Sequence, residues 1–314
     1  MIEKREDFSF QICYIDDREE IGMEWLLELN RSLDYIEEQL EGDMQLERIA
    51  GEAAKIARCS AYHYQRIFSY LAGMTLSEYL RRRRMTLAAG HLRAGEKVLD
   101  TALFYGYDSP TAFNRAFQTV HGVTPSEAKK EGVKLKAYPR IRFQITIKGA
   151  EQMEYRMEHK PPFYVVGISR IVGATMEQNA QIIPQMWTDA AITGVIAGLV
   201  QKLVPSDEYP NGLLGVCGMI KDEWRYYIGV ASKQGEVLPD TMESLLVPES
   251  DWAVFSGKGR MPEAIRDLER RIFTDWLPSS GYEYADAPDI EAYLTPNPQD
   301  SVFEVWLPVR KREE

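Results

Sequence analysis

The sequence predicts two domains in a chain of 314 residues. The first is an all-α double helix-turn-helix. The second is an α+β domain built as a duplicated strand–helix–strand–strand. Three observations carry this. A motif recurs at a 49-residue offset in the first half, the apolar periodicity switches from helical to alternating after Lys136, and the elements expected from residue 163 onward repeat in order.

The repeat fixes the first domain. Ser60, Tyr64, Arg66, Phe68, Gly73, Thr75, Ser77 and Glu78 recur as Ser109, Phe113, Arg115, Phe117, Gly122, Thr124, Ser126 and Glu127. Ser60 and Ser109 suit helix N-caps, and Pro110 suits a first helical position. Gly73 and Gly122 suit the left-handed residue that ends a helix. Thr75 with Glu78, and Thr124 with Pro125 and Glu127, suit capping boxes that open the next helix. Each copy is thus a short reader helix, a sharp stop and a new start, a helix-turn-helix arrangement. Around the copies, Trp25, Leu26, Leu29, Leu33, Ile36 and Leu40 predict a helix over 23–40, and a second spans roughly 46–57. A long helix over 75–94 contains Arg81–Arg84; at ~1.5 Å per residue it is a rod of roughly 28 Å. That is close to the ~34 Å turn of B-DNA, so it can hold two reader helices in successive grooves. Residues 1–22 are acidic and precede the helical pattern, which predicts an extension without fixed structure or an upstream start with Met23 as the functional one.

After Lys136, Ile141, Phe143, Ile145 and Ile147 alternate as in a strand. The expected boundaries are 23–131 for the helical domain, 132–152 for a linker with a strand, and 153–314 for the second domain. Within it, strands are expected at 163–171, 213–220, 224–231, 252–257, 290–294 and 302–308, and helices at 178–203 and 262–277. A pocket between the two halves is natural.

The net charge of −11 is unevenly spread. Residues 1–29 carry 3 basic and 9 acidic side chains, and 132–314 carry 20 and 26, whereas Arg58–Lys130 carries 11 and 5. The repeat is a basic island on an acidic molecule, and attraction to phosphate depends on local charge. Cys13, Cys59 and Cys217 are odd in number and far apart, against a disulfide framework and for a reducing, cytoplasmic setting. No signal peptide is visible, and the apolar run Ala190–Val200 is too short to cross a bilayer, so no membrane partner is expected. The four histidines show no metal-ligand spacing, no phosphate loop is present, and no cofactor is expected.

The stretches SAYHYQRIF (60–68), GMTLSEYLRRRR (73–84), DTALFYGYDSPTAFNRAF (100–117) and HGVTPSEA (121–128) resemble the AraC/XylS family of bacterial transcription regulators over about a hundred residues. FYVVGIS (163–169), RYYIGV (225–230), DIEAYL (289–294) and FEVWLPV (303–309) are similar to the GyrI-like effector-binding domain of Rob-like, drug-sensing regulators. The segment 40–60 is about one helical turn longer than that family implies. The resemblance implies a one-component regulator with double-stranded DNA and a small-molecule effector as partners and RNA polymerase as a further candidate. It points to Tyr62, His63, Gln65 and Arg66 in the first reader helix and Thr111, Ala112, Asn114 and Arg115 in the second. Arg suits guanine, Gln or Asn suits adenine, and an Ala or Thr methyl suits thymine. Tyr64, Phe68, Phe113 and Phe117 read as core, and at most two of Arg81–Arg84 can face phosphate.

The segments 290–294 and 303–307 read as a hairpin. A register pairing 291 with 306 and 293 with 304 puts Glu291, Tyr293, Glu304 and Trp306 on one face. Carboxylates beside Trp and Tyr suit a cationic, apolar ligand. Resemblance to multidrug-sensing members points to Glu291 as the effector carboxylate with Trp306 as a wall; Trp187, Tyr227 and Trp252 are further wall candidates. Two alternatives stay open. One is a GyrI-like hydrolase of reactive small molecules fused to a DNA-binding domain, with Glu291 or Glu304 as general base. The other is a DNA-architectural or partner-binding protein with an empty second domain.

Overall fold

The computed structural model describes residues 17–42, 45–144, 153–172, 176–220, 223–233, 242–295 and 297–312. The first half is helical: α1 (Asp17–Glu38), α2 (Leu46–Ile56), α3 (Ala61–Ala72), α4 (Leu76–Arg93), α5 (Val98–Phe104), α6 (Pro110–His121) and α7 (Pro125–Ala128). α1 starts six residues before Met23, inside the expected extension; 1–16 lie outside the described residues. The repeat caps act as the letters require. Ser60, Thr75, Ser109 and Thr124 each accept from the backbone N–H three residues on, and Gly73 and Gly122 close α3 and α6 at φ 65° and 80°. Thr124 and Glu127 form a reciprocal capping box, whereas the Glu78 carboxylate pairs with Arg81 and Arg82.

α4 joins two cores. Its first half gives Leu76, Tyr79 and Leu80 to one, its second half Met85, Ala88, Ala89 and Leu92 to another that holds Phe113 and Phe117. The arginine run is mostly structural. Arg84 is buried and donates to the carbonyls of Tyr105 (2.9 Å) and Gln39 (3.2 Å), tying the two units together. Arg83 pairs with Glu37 at 2.6 Å and donates to the Tyr138 carbonyl at 2.8 Å. Arg82 lies over the Tyr138 ring.

No strand forms at 141–144, contrary to the alternation; 145–152 lie outside the described residues. Phe143 instead enters the first core, and the Asn30 side-chain amide accepts from its N–H and donates to its carbonyl, both at 3.0 Å. One side chain supplies the pairing that a neighbouring strand would give.

The second half contains β1 (Arg156–Lys160), β2 (Phe163–Ile171), α8 (Met176–Ile192), α9 (Val195–Val200), β3 (Leu213–Ile220), β4 (Glu223–Ser232), β5 (Glu243–Val247), β6 (Ser250–Gly259), α10 (Glu263–Arg271), β7 (Tyr282–Tyr284), β8 (Asp289–Tyr293) and β9 (Ser301–Lys311). The helix expected over 178–203 breaks at Gly194, φ 79°. α10 runs on through a π-helical turn, Ile272–Trp276, and a 3-10 turn, Leu277–Ser279. The sheet order is β1-β6-β9-β8-β3-β4-β2-β5, with β7 added on β9 and every pairing antiparallel. Reading outward from the β8–β3 seam gives β8, β9, β6, β1 on one side and β3, β4, β2, β5 on the other. The duplication expected from sequence is therefore a pseudo-twofold, extended by β1 and β5 at its two ends. One face of this sheet packs its own core around Trp252, Tyr227 and Trp306; the other meets the helices.

The core does not respect the domain boundary. Trp25, Leu29, Leu33, Ile36, Tyr64 and Phe68 of the first unit form one cluster with Phe273, Trp276, Leu277, Phe303 and Val305 of the second half. The first helix-turn-helix is built onto the sheet domain, and the second keeps a core of its own.

Candidate functional site

The deepest chemistry lies on the helix-side face at the β8–β3 seam. Glu291 of β8 sits opposite Gly215 of β3. Tyr226 and Tyr293 both donate to Glu291 Oε2 at 2.9 Å, and Trp187 of α8 donates to the Tyr226 hydroxyl at 3.0 Å. The Trp187 ring meets Tyr293 edge-on at 5.0 Å between centroids. Gly215 makes the room: a Cβ there would lie 2.2 Å from the Tyr226 hydroxyl and 2.8 Å from Glu291 Oε2. Glu291 is deep in the molecule and only partly exposed, packed among Tyr226, Tyr293 and Gly215. Burial, helped by the Glu269 charge and opposed by Arg66, pushes its carboxyl up to about 7.

The hairpin register corrects the sequence reading. Ile290 pairs with Trp306, Glu291 with Val305, Ala292 with Glu304 and Tyr293 with Phe303. This is a one-residue slip from the expected pairing, and a one-residue slip moves every side chain to the other face. Glu304 and Trp306 therefore do not join Glu291 and Tyr293. Trp306 faces the other core, donates to Glu304 at 2.9 Å and lies under Arg156 and Lys160. Tyr227 and Trp252 belong to that core and are wholly buried in it. Of the wall candidates, Trp187 stays near Glu291, and Tyr226, the neighbour of Tyr227, takes the place beside Glu291 that was expected of Tyr227. Two-residue alternation from Ile228 in β4 was the signal that could have placed it.

The two reader helices differ in circumstance. In α6, Thr111, Ala112 and Arg115 are exposed and Asn114 is partly exposed. In α3, His63, Gln65 and Arg66 are buried and Tyr62 is partly buried, against the second half of the chain. Tyr62 stacks on Trp224 at 4.6 Å, and His63 stacks on Tyr284 at 3.8 Å with Nε2 3.2 Å from Asp289. Arg66 donates to Asp289 through one guanidinium nitrogen and to Glu269 through another, and Tyr70 also donates to Glu269. Burial would raise the Asp289 carboxyl, but His63 and Arg66 outweigh it and hold the group below its ordinary range.

A cavity of about 600 Å³ opens beside this contact, lined by Lys55, Arg58, His63, Trp224 and Arg310 among others. Glu291 does not line it. Among the described residues no His, Cys, Asp and Glu cluster could hold a metal, and no helix is long and apolar enough to cross a membrane.

Comparison with known proteins agrees with this architecture. Residues 53–131 match a helix-turn-helix domain model, and residues 156–309 match the model of an integron-associated effector binding protein, Cass2. The regulatory protein SoxS of Salmonella typhimurium is 33% identical over 96 residues, 30% of this chain and 86% of SoxS. The chain belongs to the AraC family of transcription regulators. The transcriptional regulator Rob of Salmonella typhimurium is 24% identical over 276 residues, covering 82% of this chain and 87% of Rob, so the match to that AraC-family relative spans both halves. A solved structure of SAV2435 bound to tetraphenylphosphonium is 24% identical, with a TM-score of 0.43, over 50% of this chain and 94% of that one. The chain is thus a DNA-binding AraC-family regulator with a GyrI-like effector-binding domain.

Proposed function

We propose that this AraC-family regulator reads DNA with two helices and answers to an amphipathic cation bound at Glu291. The readers are Tyr62, His63, Gln65 and Arg66 in α3 and Thr111, Ala112, Asn114 and Arg115 in α6. The observation that carries the effector reading is the Glu291 cluster: a carboxylate deep in a cleft, held by two phenols and flanked by an indole. Aromatic faces and a desolvated carboxylate favour an apolar cation over a hydrated one. We read the cleft as a binding site rather than a hydrolytic one. Both phenols donate to the same Glu291 oxygen, which holds the carboxylate in place as a binding group. RNA polymerase is the protein partner that promoter-bound action calls for, and a cytoplasmic setting is where that action takes place.

Titration with tetraphenylphosphonium, followed by tryptophan fluorescence, tests the site. Glu291→Gln keeps the shape and should weaken binding at least tenfold. Equal affinity in the variant would remove the carboxylate from the mechanism.

A further inference from the structure

The effector domain already holds a cation, and that cation is Arg66. Its guanidinium lies between Asp289 of β8 and Glu269 of α10, 5.7 Å from the centre of the Tyr62 ring and 5.6 Å from that of Phe273. Carboxylates and ring faces are what an amphipathic cation would seek. Asp289 and Glu291 are two residues apart on one strand, so both project from the same face of the sheet.

We propose that reader helix α3 is the resting occupant of the effector cleft, with Arg66 in the place of the effector's cationic head, so that cationic effector and duplex DNA both select the form from which α3 has withdrawn. The idea rests on the Glu291 reading above. The other reader side chains agree with it: Tyr62 is stacked on Trp224, and His63 is held by Tyr284 and Asp289. Sterics require the withdrawal. The major groove is about 12 Å wide and a helix with its side chains about 10–12 Å across, so a sheet cannot stay on the reading face. α6 is under no such constraint, since its reading residues are open and its core is separate. In the resting form, one of the two units is competent.

The ion-pair part of the contact is suited to reversal. Taking Arg66 and its carboxylates out of water offsets much of their attraction, so these pairs give the dock specificity more than stability, and withdrawal must also part the apolar core that the first unit shares with the sheet half. A cation that binds Glu291 and displaces Arg66 has different affinity for the two forms, which is what a population shift requires. Linkage then makes the effect mutual: operator DNA tightens cation binding by the factor by which cation tightens DNA binding.

The test uses the full chain. Glu269→Gln with Asp289→Asn keeps the shape and leaves Arg66 without counter-charge, which should expel α3. Operator affinity without any cation should rise at least tenfold. Cys217, buried in the resting form and close to Tyr62, reports the same event by its alkylation rate, read by peptide mass spectrometry. That rate should rise in the double variant and, on adding tetraphenylphosphonium, in the wild type. Trp224→Ala, which removes the Tyr62 stack and leaves both Arg66 carboxylates in place, should move both readouts the same way by less. Unchanged operator affinity and a still-protected Cys217 in folded variants would overturn the proposal. Tetraphenylphosphonium that binds in a Glu291-dependent way, yet leaves Cys217 protected and operator affinity unchanged, would overturn it while the effector reading stands. Failure of that cation to bind both the wild type and Arg66→Ala, in which Glu269, Asp289 and Glu291 are intact and no longer paired with α3, would overturn the effector reading itself.

Discussion

Glu291→Gln should make the protein more stable, and only at high pH. The carboxyl rises from an ordinary 4.5 to about 7 in the folded chain. Between those values the folded state binds a proton that the unfolded state has lost. Stability from this group is therefore greatest below about pH 4.5, falls as pH rises to about 7, and is constant above. At ~1.36 kcal/mol per unit, the ionised carboxylate costs at most about 3 kcal/mol above pH 7. Partial solvent access at the cleft lowers that figure. Glutamine carries no charge, and its oxygen can still accept from Tyr226 and Tyr293, whose hydroxyls both donate to Glu291 Oε2. Urea unfolding of both proteins at pH 5 and pH 8.5 measures the difference. A variant within about 1 kcal/mol of the wild type is expected at pH 5 and one about 2–3 kcal/mol more stable at pH 8.5. A variant less stable at pH 8.5, or an offset that is the same at both values, would refute the argument that burial dominates at Glu291.

Other predictions follow from the same geometry. Tetraphenylphosphonium affinity should rise about tenfold per pH unit below about 7 and level off above it, with one proton released on binding; calorimetry in buffers of different ionisation enthalpy would show it. Gly215→Ala should cost about 1–3 kcal/mol and abolish cation binding, because its Cβ meets Tyr226 and Glu291. Gly198→Ala, with nothing within 4 Å of the added carbon, is the control, and denaturant midpoints compare the two. Arg84→Ala should destabilise by about 3 kcal/mol or more, since it strips donors from the Tyr105 and Gln39 carbonyls; thermal unfolding reads this. Arg115→Ala should cost about 1–3 kcal/mol at an operator and relax specificity at one or two base pairs, measured by binding to a substituted operator set.

The helical half was legible because its signals are local. A serine or threonine cap and a closing glycine act within a turn, so the repeat placed α3, α6 and their stops from letters alone. The strand pairs of the sheet were legible as alternation, but their register was not. Thr295–Asp300 leaves the loop length of the β8–β9 hairpin open, and a one-residue slip swaps the faces. Hence Glu291 and Trp306, expected on one face of the hairpin, lie on opposite ones. The strands β1, β5 and β7 were missed because β7 is only three residues long and neither Arg156–Lys160 nor Glu243–Val247 shows a clear apolar alternation. Phe143 misled for another reason: its partner is the side chain of Asn30, 113 residues earlier, and no window sees that. The burial of Arg66 was beyond reach in the same way. Its carboxylates lie 203 and 223 residues along the chain, and an arginine on a reader helix carries no mark of which partner it has.

Nuclease footprinting of an operator with and without tetraphenylphosphonium tests the central claim most directly. Without the cation, the account predicts protection of the half-site read by α6 alone. With it, protection should extend to a second half-site one helical turn, about 34 Å, along the same face. Equal protection of both half-sites at equal protein concentration, with and without the cation, would contradict it.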